Sequence, residues 1–569
     1  MEINHKNLKI AYNFLSLIEE MSYLKTAFFL FFLFICFCGP FSKRIYAQDI
    51  YSIQNRDISY MTSGGKLNPL QKIMDIRHYT FKLIVEIEQK RIDGEVEIQL
   101  ILSKPTDTLL LDLIHLMVVS EVRVNNQNVN FSQGQDKIFI TSNHKFASGL
   151  QKILVKYGGV PPVAIRPPWG GGFTWSKDTS GNPWVVINCQ SEGGKIFFPC
   201  KDHPSDEPNE GVDMFITVPR GLTVAGPGLL EKISYKGNQS TFHWKTRYTI
   251  SNYCMVFNVA KYKVVQDSYT TILGHKVPIE YFILDQDSAQ AQKVIQTRKR
   301  DTRILEKYLG EYPWVKEKIG IAEVPNPGME HQTMITFPAW FNFATVGGQL
   351  YSSNLFHEFA HEWFANKVTN QDWAHMWIQE GITTFNEALC MYELGGQSAY
   401  DEIIDGDRRQ IENKKPVVQG EEVTEADTYN GDIYTKGAFF MHSLRFLVGD
   451  SVFFPTLKHL ATDPSSTYDH MITTDYVEKL FSNAAHKNLK PFFDFYLRTT
   501  HVFDFLVQET GFHQYRIAQK NYFMDIPLEV GIGNQTNRMV LGKQGILLKS
   551  DYPPRIDEKS FYLKTVTWE

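Results

Sequence analysis

The stretch HEFAHEWFANKVTNQDWAHMWIQEG, residues 357–381 of a 569-residue chain, decides how the rest is read. Its opening sets His357 and His361 four apart. On a helix that spacing puts two imidazoles on one face, one turn apart, as two ligands of one small cation require. Phe356, Phe359, Ala360, Trp363 and Phe364 supply the apolar remainder, so the helix has a side to bury. Glu380 lies eighteen intervening residues beyond His361, at the start of a second helical run. A helix exit, a connecting loop and an antiparallel second helix can return that carboxylate to the histidine pair. Two His and one Glu, with a fourth position left open, form a catalytic rather than a closed structural zinc site, so one zinc ion is expected. Glu358 stands between the two histidines in sequence but should not bind the metal. It suits a general base toward a water molecule. The chemistry so read is metal-assisted hydrolysis of an acyl bond.

About thirty residues upstream runs PNPGMEHQTMITF, residues 325–337. Gly328 lets the backbone approach a neighbour closely, and Met329-Glu330 then presents one carboxylate. Alone the triplet is a weak signal. Ahead of an HExxH helix it gains meaning, because a carboxylate in a zinc cleft would bind a protonated amine. Peptides carry such an amine at the N-terminus, so the expected cut removes the first residue.

These motifs together resemble the zinc aminopeptidase family of the gluzincin clan, the group of aminopeptidase N and the leukotriene-epoxide hydrolases. The family's hallmarks are HExxH, eighteen residues and Glu, preceded by Gly-x-Met-Glu-Asn. Here His331 and Gln379 stand where asparagines are usual. The resemblance implies further roles. YTKGA makes Tyr434 the transition-state residue, a phenol hydrogen-bonding the oxyanion, and Tyr429 would be a second pocket hydroxyl. CQSEGGKIFFPC puts Gln190 where the family has a Gln or Glu that touches the substrate amine. The implied fold is multidomain α+β: a saddle-like β domain, a thermolysin-like mixed α/β catalytic domain and a small C-terminal β-sandwich. Many members add a large helical cap over the cleft. The residues up to Glu569 leave no room for one, so a more open cleft is expected.

The wider sequence agrees with several domains. From about Arg77 to Val265 hydrophobicity alternates with period two: Phe81, Leu83, Val85 and Ile87 oppose Lys82, Glu86 and Glu88, which predicts an antiparallel β domain. Gly- and Pro-rich Arg166–Trp184 reads as a long functional loop. Helices are predicted at Ser288–Leu309, Asn354–Asn366, Met376–Leu394, Lys436–Leu447 and Thr474–Leu497, and the last 65 or so residues turn strand-like again. The expected division is residues 1–47 leader, 48–268 β domain, 269–499 catalytic domain and 500–569 C-terminal β domain. The apolar run Ala27–Cys38 is too short to span a bilayer and suits a signal peptide cleaved after Ala47. Export to a periplasm or the medium is therefore expected, with membrane contact only through an uncleaved leader. Cys189, Cys200, Cys254 and Cys390 are too few for a disulfide framework; Cys189 and Cys200 are the nearest pair, and four buried thiols is the simpler reading. A net charge of −5 offers no basic footprint, so nucleic acid is not expected as a partner.

Three rivals remain beside an aminopeptidase. They are a thermolysin-like endopeptidase, a bifunctional epoxide hydrolase of the same family, and an inactive binding protein on the same scaffold. Glu330 speaks against the first, and the completeness of His357, Glu358, His361, Glu380 and Tyr434 against the last.

Overall fold

The computed structural model describes residues 62–569. The expected leader lies outside the described residues. Period two does its predicted work in strand β1 (Met74–Glu86), where Phe81, Leu83 and Val85 are buried and Lys82, Ile84 and Glu86 are exposed. Around it forms an eight-stranded sheet. β1 pairs antiparallel with β2 (Arg91–Leu102), which pairs antiparallel with β3 (Gly149–Gly159). On its other side β1 pairs with β4 (Val212–Pro219), and this pair is parallel, Tyr79–Ile84 lying beside Val212–Thr217. The expected antiparallel domain thus contains one parallel pairing. The long excursion between the two strands brings β4 back in the direction of β1. The Arg166–Trp184 stretch is not all loop either. Strands Gly172–Lys177 and Pro183–Asn188 form a hairpin, because Phe173 and Trp175 alternate and Asp178 with Asn182 closes the turn.

A second sheet carries the catalytic half. β5 (Tyr262–Thr270) and β6 (Lys276–Leu284) are antiparallel, while β7 (Ile319–Val324) and β8 (Ile335–Pro338) continue the sheet in parallel. Residue 268, the expected domain boundary, lies within β5.

Helices follow. α1 (Ala291–Leu309) runs between β6 and β7, and α2 (Ser353–Ala360) carries His357 and Glu358, with His361 as its C-cap. α3 (Trp377–Gln410) is longer than predicted, though its regular course breaks at Gly396, which has φ 73°. α2 is shorter than predicted: after His361 the chain turns sharply, Asn366 N–H donating to His361 O and Val368 N–H to Trp363 O. α4 (Thr435–Val448) matches its prediction. α5 (Asp450–Thr462) was not predicted and contains Pro455. Thr474–Leu497 divides into α6 (Thr474–Ala485) and α7 (Lys490–Leu497), because His486 is left-handed and Pro491 opens the next helix. Beyond residue 500 the chain forms two sheets, of four and three strands, the small C-terminal β region. All four described cysteines are buried free thiols. Among the described residues no helix is long and apolar enough to cross a membrane.

Candidate active site

α2 starts at Ser352, whose hydroxyl accepts from Leu355 N–H and caps the helix. Its buried face is fixed by Arg298, which donates to Leu355 O at 2.6 Å and lies over the Phe359 ring at 3.8 Å. Glu362, one residue past His361, ties the helix exit to its surroundings: it accepts from Trp314 Nε1 at 2.6 Å, Thr333 N–H at 2.9 Å and Asn366 Nδ2 at 3.1 Å. Asn366 also donates to Glu330 O at 2.8 Å, so the Gly-Met-Glu segment is pinned to the HExxH segment.

His357, His361 and Glu380 converge. Their ligand atoms all lie within 4.8 Å of one another, and among the described residues they are the one such group of His, Cys and acidic side chains. Glu380 Oε2 is 3.3 Å from His357 Nε2 and 3.3 Å from His361 Nε2. Ligands about 2.0–2.1 Å from a tetrahedral zinc stand roughly 3.3–3.4 Å apart, so the spacing fits that ion. The tautomers fit as well. His357 Nδ1 faces Glu387 Oε1 at 3.1 Å, and His361 Nδ1 faces Phe364 O at 2.8 Å, which leaves both Nε2 lone pairs free toward the shared centre. Without a cation the Glu380 carboxylate, against burial, favours protonation of both imidazoles. Against burial, which pushes it up, those charges hold Glu380 down to about 2, so it stays a carboxylate; a bound cation would take the place of those protons.

Glu358 is 9 % exposed and accepts from Asn354 Nδ2 at 3.1 Å, one turn earlier on α2. Burial, then the Glu330 and Glu380 carboxylates, push it up to about 8, opposed by the histidines. A divalent cation at the His-His-Glu centre acts in the opposite direction and favours the base form. Gly328 has the close approach expected of it: a Cβ there would lie 3.1 Å from Glu358 Cγ and 2.3 Å from Thr336 O. Met329 is buried and bridges to Thr336.

Glu330 is 3 % exposed, and its Oε1 accepts from Gln190 Nε2 at 2.6 Å and from Tyr253 O–H at 2.9 Å. Burial raises it, and His361 lowers it. His331 is fully buried, has no hydrogen-bond partner at either ring nitrogen, and is driven by burial to about 3, so it is a neutral imidazole. Tyr434 precedes α4. Its ring stands 6.0 Å from that of His357, and its hydroxyl is 2.6 Å from that of Tyr429. Burial, then Glu380, raises both phenols well above the usual range, which keeps them protonated donors. The approach depends on two glycines: a Cβ on Gly381 would lie 2.8 Å from Gly437 Cα, so α3 and α4 touch backbone to backbone beside Glu380.

The structure therefore gathers every site residue named from the sequence. Three neighbours were missed: Glu387, Asn354 and Tyr253. Glu387 had a readable signal, since seven residues beyond Glu380 is two turns along the same helix face. Asn354 sits one turn before Glu358 by the same rule, but nothing in the sequence singles out Tyr253.

A β domain packed beside an HExxH helix, with a returning Glu and a buried carboxylate at hand, is an arrangement whose His-His-Glu group suits a zinc ion. Comparison with known families agrees: residues 76–254 match the "Peptidase M1 N-terminal domain" and residues 296–496 the "Peptidase family M1 domain". The chain belongs to peptidase family M1. Similar proteins include mouse endoplasmic reticulum aminopeptidase 1, 23 % identical over 59 % of this chain and 38 % of that one. Leukotriene A-4 hydrolase of Xenopus laevis is 24 % identical over 57 % of this chain and 52 % of its own length. The chain spans about a third to a half of the length of the curated relatives it matches. Among solved structures, an M1 zinc metallopeptidase of Deinococcus radiodurans bound to a Tyr-Ser-Ala substrate superposes with TM-score 0.63 at 22 % identity, covering 77 % of this chain and 96 % of that one. Legionella pneumophila aminopeptidase A in complex with aspartic acid gives TM-score 0.72 at 16 % identity, over 87 % and 60 %. These likenesses carry the fold.

Proposed function

We propose that the chain is a zinc-dependent aminopeptidase that removes N-terminal residues from peptides with a free amine. One observation carries this reading: Glu330, a buried carboxylate, lies in a segment whose backbone is hydrogen-bonded to the side chains of Asn366 and Glu362, just past the helix that bears His357 and Glu358. Gln190 and Tyr253 both load Oε1, which aims the remaining oxygen at an ammonium group. An anion fixed there accepts a chain terminus and leaves no path for a preceding residue.

The residues then divide the work. Zinc, held by His357, His361 and Glu380, supplies Lewis acidity toward the carbonyl and lowers the pKa of water when bound. Glu330 takes the substrate ammonium and sets the first peptide bond beside Glu358. Glu358 accepts a proton from water as its oxygen adds to the carbonyl carbon, then delivers that proton to the departing amine nitrogen as the C–N bond breaks. Asn354 holds the Glu358 carboxylate in place for both transfers. The Tyr434 hydroxyl donates to the carbonyl oxygen as charge grows on it, and Tyr429 orients that hydroxyl. Met329 and Gly328 form the floor over which the first side chain lies.

The test compares aminoacyl fluorogenic substrates bearing a free amine with their N-acetylated counterparts, with and without chelator. Chelator-sensitive cleavage of the free-amine set alone supports the proposal. Equal cleavage of both sets overturns it in favour of an endopeptidase. We also propose export, supported by the apolar run Ala27–Cys38 and the small-residue site at Ala47. N-terminal sequencing of the mature protein should begin at Gln48, and a start at Met1 or Met21 would refute cleavage.

A further inference from the structure

Residues Thr62–Gly65 lie as a strap between two walls of the site. On the β-domain side, Ser63 N–H donates to Ser191 O at 2.8 Å, and Ser63 Oγ donates to Asp202 Oδ1 at 3.2 Å. Lys195 Nζ donates to Thr62 O, and His203 Nε2 lies 3.0 Å from Gly65 O. On the catalytic side, Glu425 N–H donates to Ser63 O at 3.0 Å and Gly65 N–H to Val423 O at 2.9 Å, with Gly64 bridging antiparallel to Thr424. Beneath the strap Ser191 Oγ donates to Glu425 Oε1 at 2.9 Å. The strap is anchored firmly: Asp202 is ion-paired with Lys195 at 2.8 Å, and both are largely buried. Gly64 has φ 78°, and a Cβ there would fall 2.3 Å from Trp373 Cδ1, so the close packing requires glycine.

What the strap joins gives it meaning. Ser191 follows Gln190, the donor to Glu330. Glu425 opens the short helix Glu425–Thr428, which delivers Tyr429 to Tyr434. Ser63 and Gln190 line one small cavity together with Tyr253 and Gln379, the residue before Glu380. The backbone of the strap thus ties the side that holds the amine to the side that holds the oxyanion.

We propose that Thr62–Gly65 is a positioning segment of the active site. It fixes the separation between the Gln190–Glu330 wall and the Tyr429–Tyr434 wall, and so sets how well a free amine is held while the carbonyl reacts. The part concerning the amine rests on the aminopeptidase reading. No residue of the strap touches the reacting atoms.

The test uses the full chain carrying Ser63→Pro, which deletes the N–H given to Ser191, or Gly64→Val, which drives a side chain into Trp373. Ser63→Ala keeps every backbone bond but loses the Oγ–Asp202 bond, and is expected to fall between wild type and Ser63→Pro; Lys66→Ala and Lys72→Ala, at exposed residues outside the strap, are the two controls. Three quantities are read: zinc content, amide hydrogen exchange in residues 189–193 and 423–429, and kcat and KM on free-amine substrates. The expected result for Ser63→Pro and Gly64→Val is unchanged zinc content, exchange faster by on the order of tenfold in both segments, and KM raised by a similar factor with kcat less affected. The two controls stay within about threefold of wild type. Should Gly64→Val not fold, Gly64→Ala, a smaller intrusion, carries the same test. Unchanged exchange in either segment overturns the proposal, as does a loss confined to the amount of active protein with KM unmoved. A wild-type chain that spares free-amine substrates overturns the aminopeptidase reading instead, and the exchange data still decide the strap.

Discussion

Glu387 offers the sharpest check on how the metal site is built. Its side chain is 3 % exposed, and three groups converge on it: His357 Nδ1 at 3.1 Å, Tyr351 O–H at 3.0 Å and Ser353 O–H at 2.5 Å. The histidine contact fixes the ring's tautomer and aim, while the two hydroxyls fix the carboxylate. Glu387→Ala removes the acceptor, so the His357 ring loses its orientation and basicity. Losing such a partner typically costs 10–100-fold in metal affinity, about 1.4–2.7 kcal/mol. It also takes one acceptor from the Tyr351 and Ser353 hydroxyls. Glu387→Gln keeps a neutral acceptor for Nδ1–H, and both hydroxyls can turn to accept from its amide, so its loss should be smaller, at most about fivefold. Competition for zinc against a chromophoric chelator of known affinity, at pH 7, measures both variants. A Glu387→Ala protein that holds zinc within twofold of wild type would refute the reasoning.

Glu358→Gln should retain full zinc content yet lose at least about 10²-fold in kcat, since the proton carrier is gone; metal analysis with turnover shows whether the two separate, and near-normal turnover would remove the base assignment. Glu380→Ala should lose zinc occupancy after dialysis, because two imidazoles alone remain, and stoichiometric zinc would disqualify Glu380 as a ligand. Glu330→Ala should raise KM for free-amine substrates by ten- to a hundredfold with zinc content unchanged; kinetics unaltered on that substrate set would count against the amine site. Burial pushes Glu207 up to about 7 from 4.5, against hydroxyl bonds from Ser251 and Thr249. A carboxyl raised on folding stabilises fully below about pH 4.5 and progressively less as pH climbs through 7. Glu207→Gln should therefore gain thermal stability relative to wild type at pH 8 more than at pH 5, and melting curves showing the same difference at both would exclude that titration.

The parts of the molecule that were legible in the sequence are those governed by short periodicities. The i, i+4 histidines needed only helix geometry, and the alternation of Phe81, Leu83 and Val85 needed only a pleat. Glu380 was legible because its spacing is short enough for one loop and one helix. Misreadings fall where the backbone leaves its local preference for tertiary reasons. α2 stops at Ala360 although Trp363 and Phe364 continue the apolar stripe, because Glu362 and Asn366 are needed as anchors for Thr333 and Glu330. Helix α3 outruns its apparent end at Leu394 because Gly396 bends rather than ends it. The parallel β1–β4 pair and the Tyr253–Glu330 bond join residues 77 or more positions apart, and no local pattern encodes such meetings. The same holds for the strap, whose four residues read as an unremarked polar stretch until their partners are known.

The backbone contact between Gly381 and Gly437 works as a gauge block for catalysis. One helix delivers a metal ligand and the other begins at the phenol, so the thickness of the crossing is the dimension that separates them. Adding a single methyl to either face enlarges that dimension by a few tenths of an ångström or more, with no chemical group lost. Gly437→Ala followed by Gly437→Ser would thus make a graded series, in which turnover falls with added volume while the zinc, the base and the amine anchor all remain. Few sites permit the geometric share of rate enhancement to be varied on its own, and here the variable is one side chain's width.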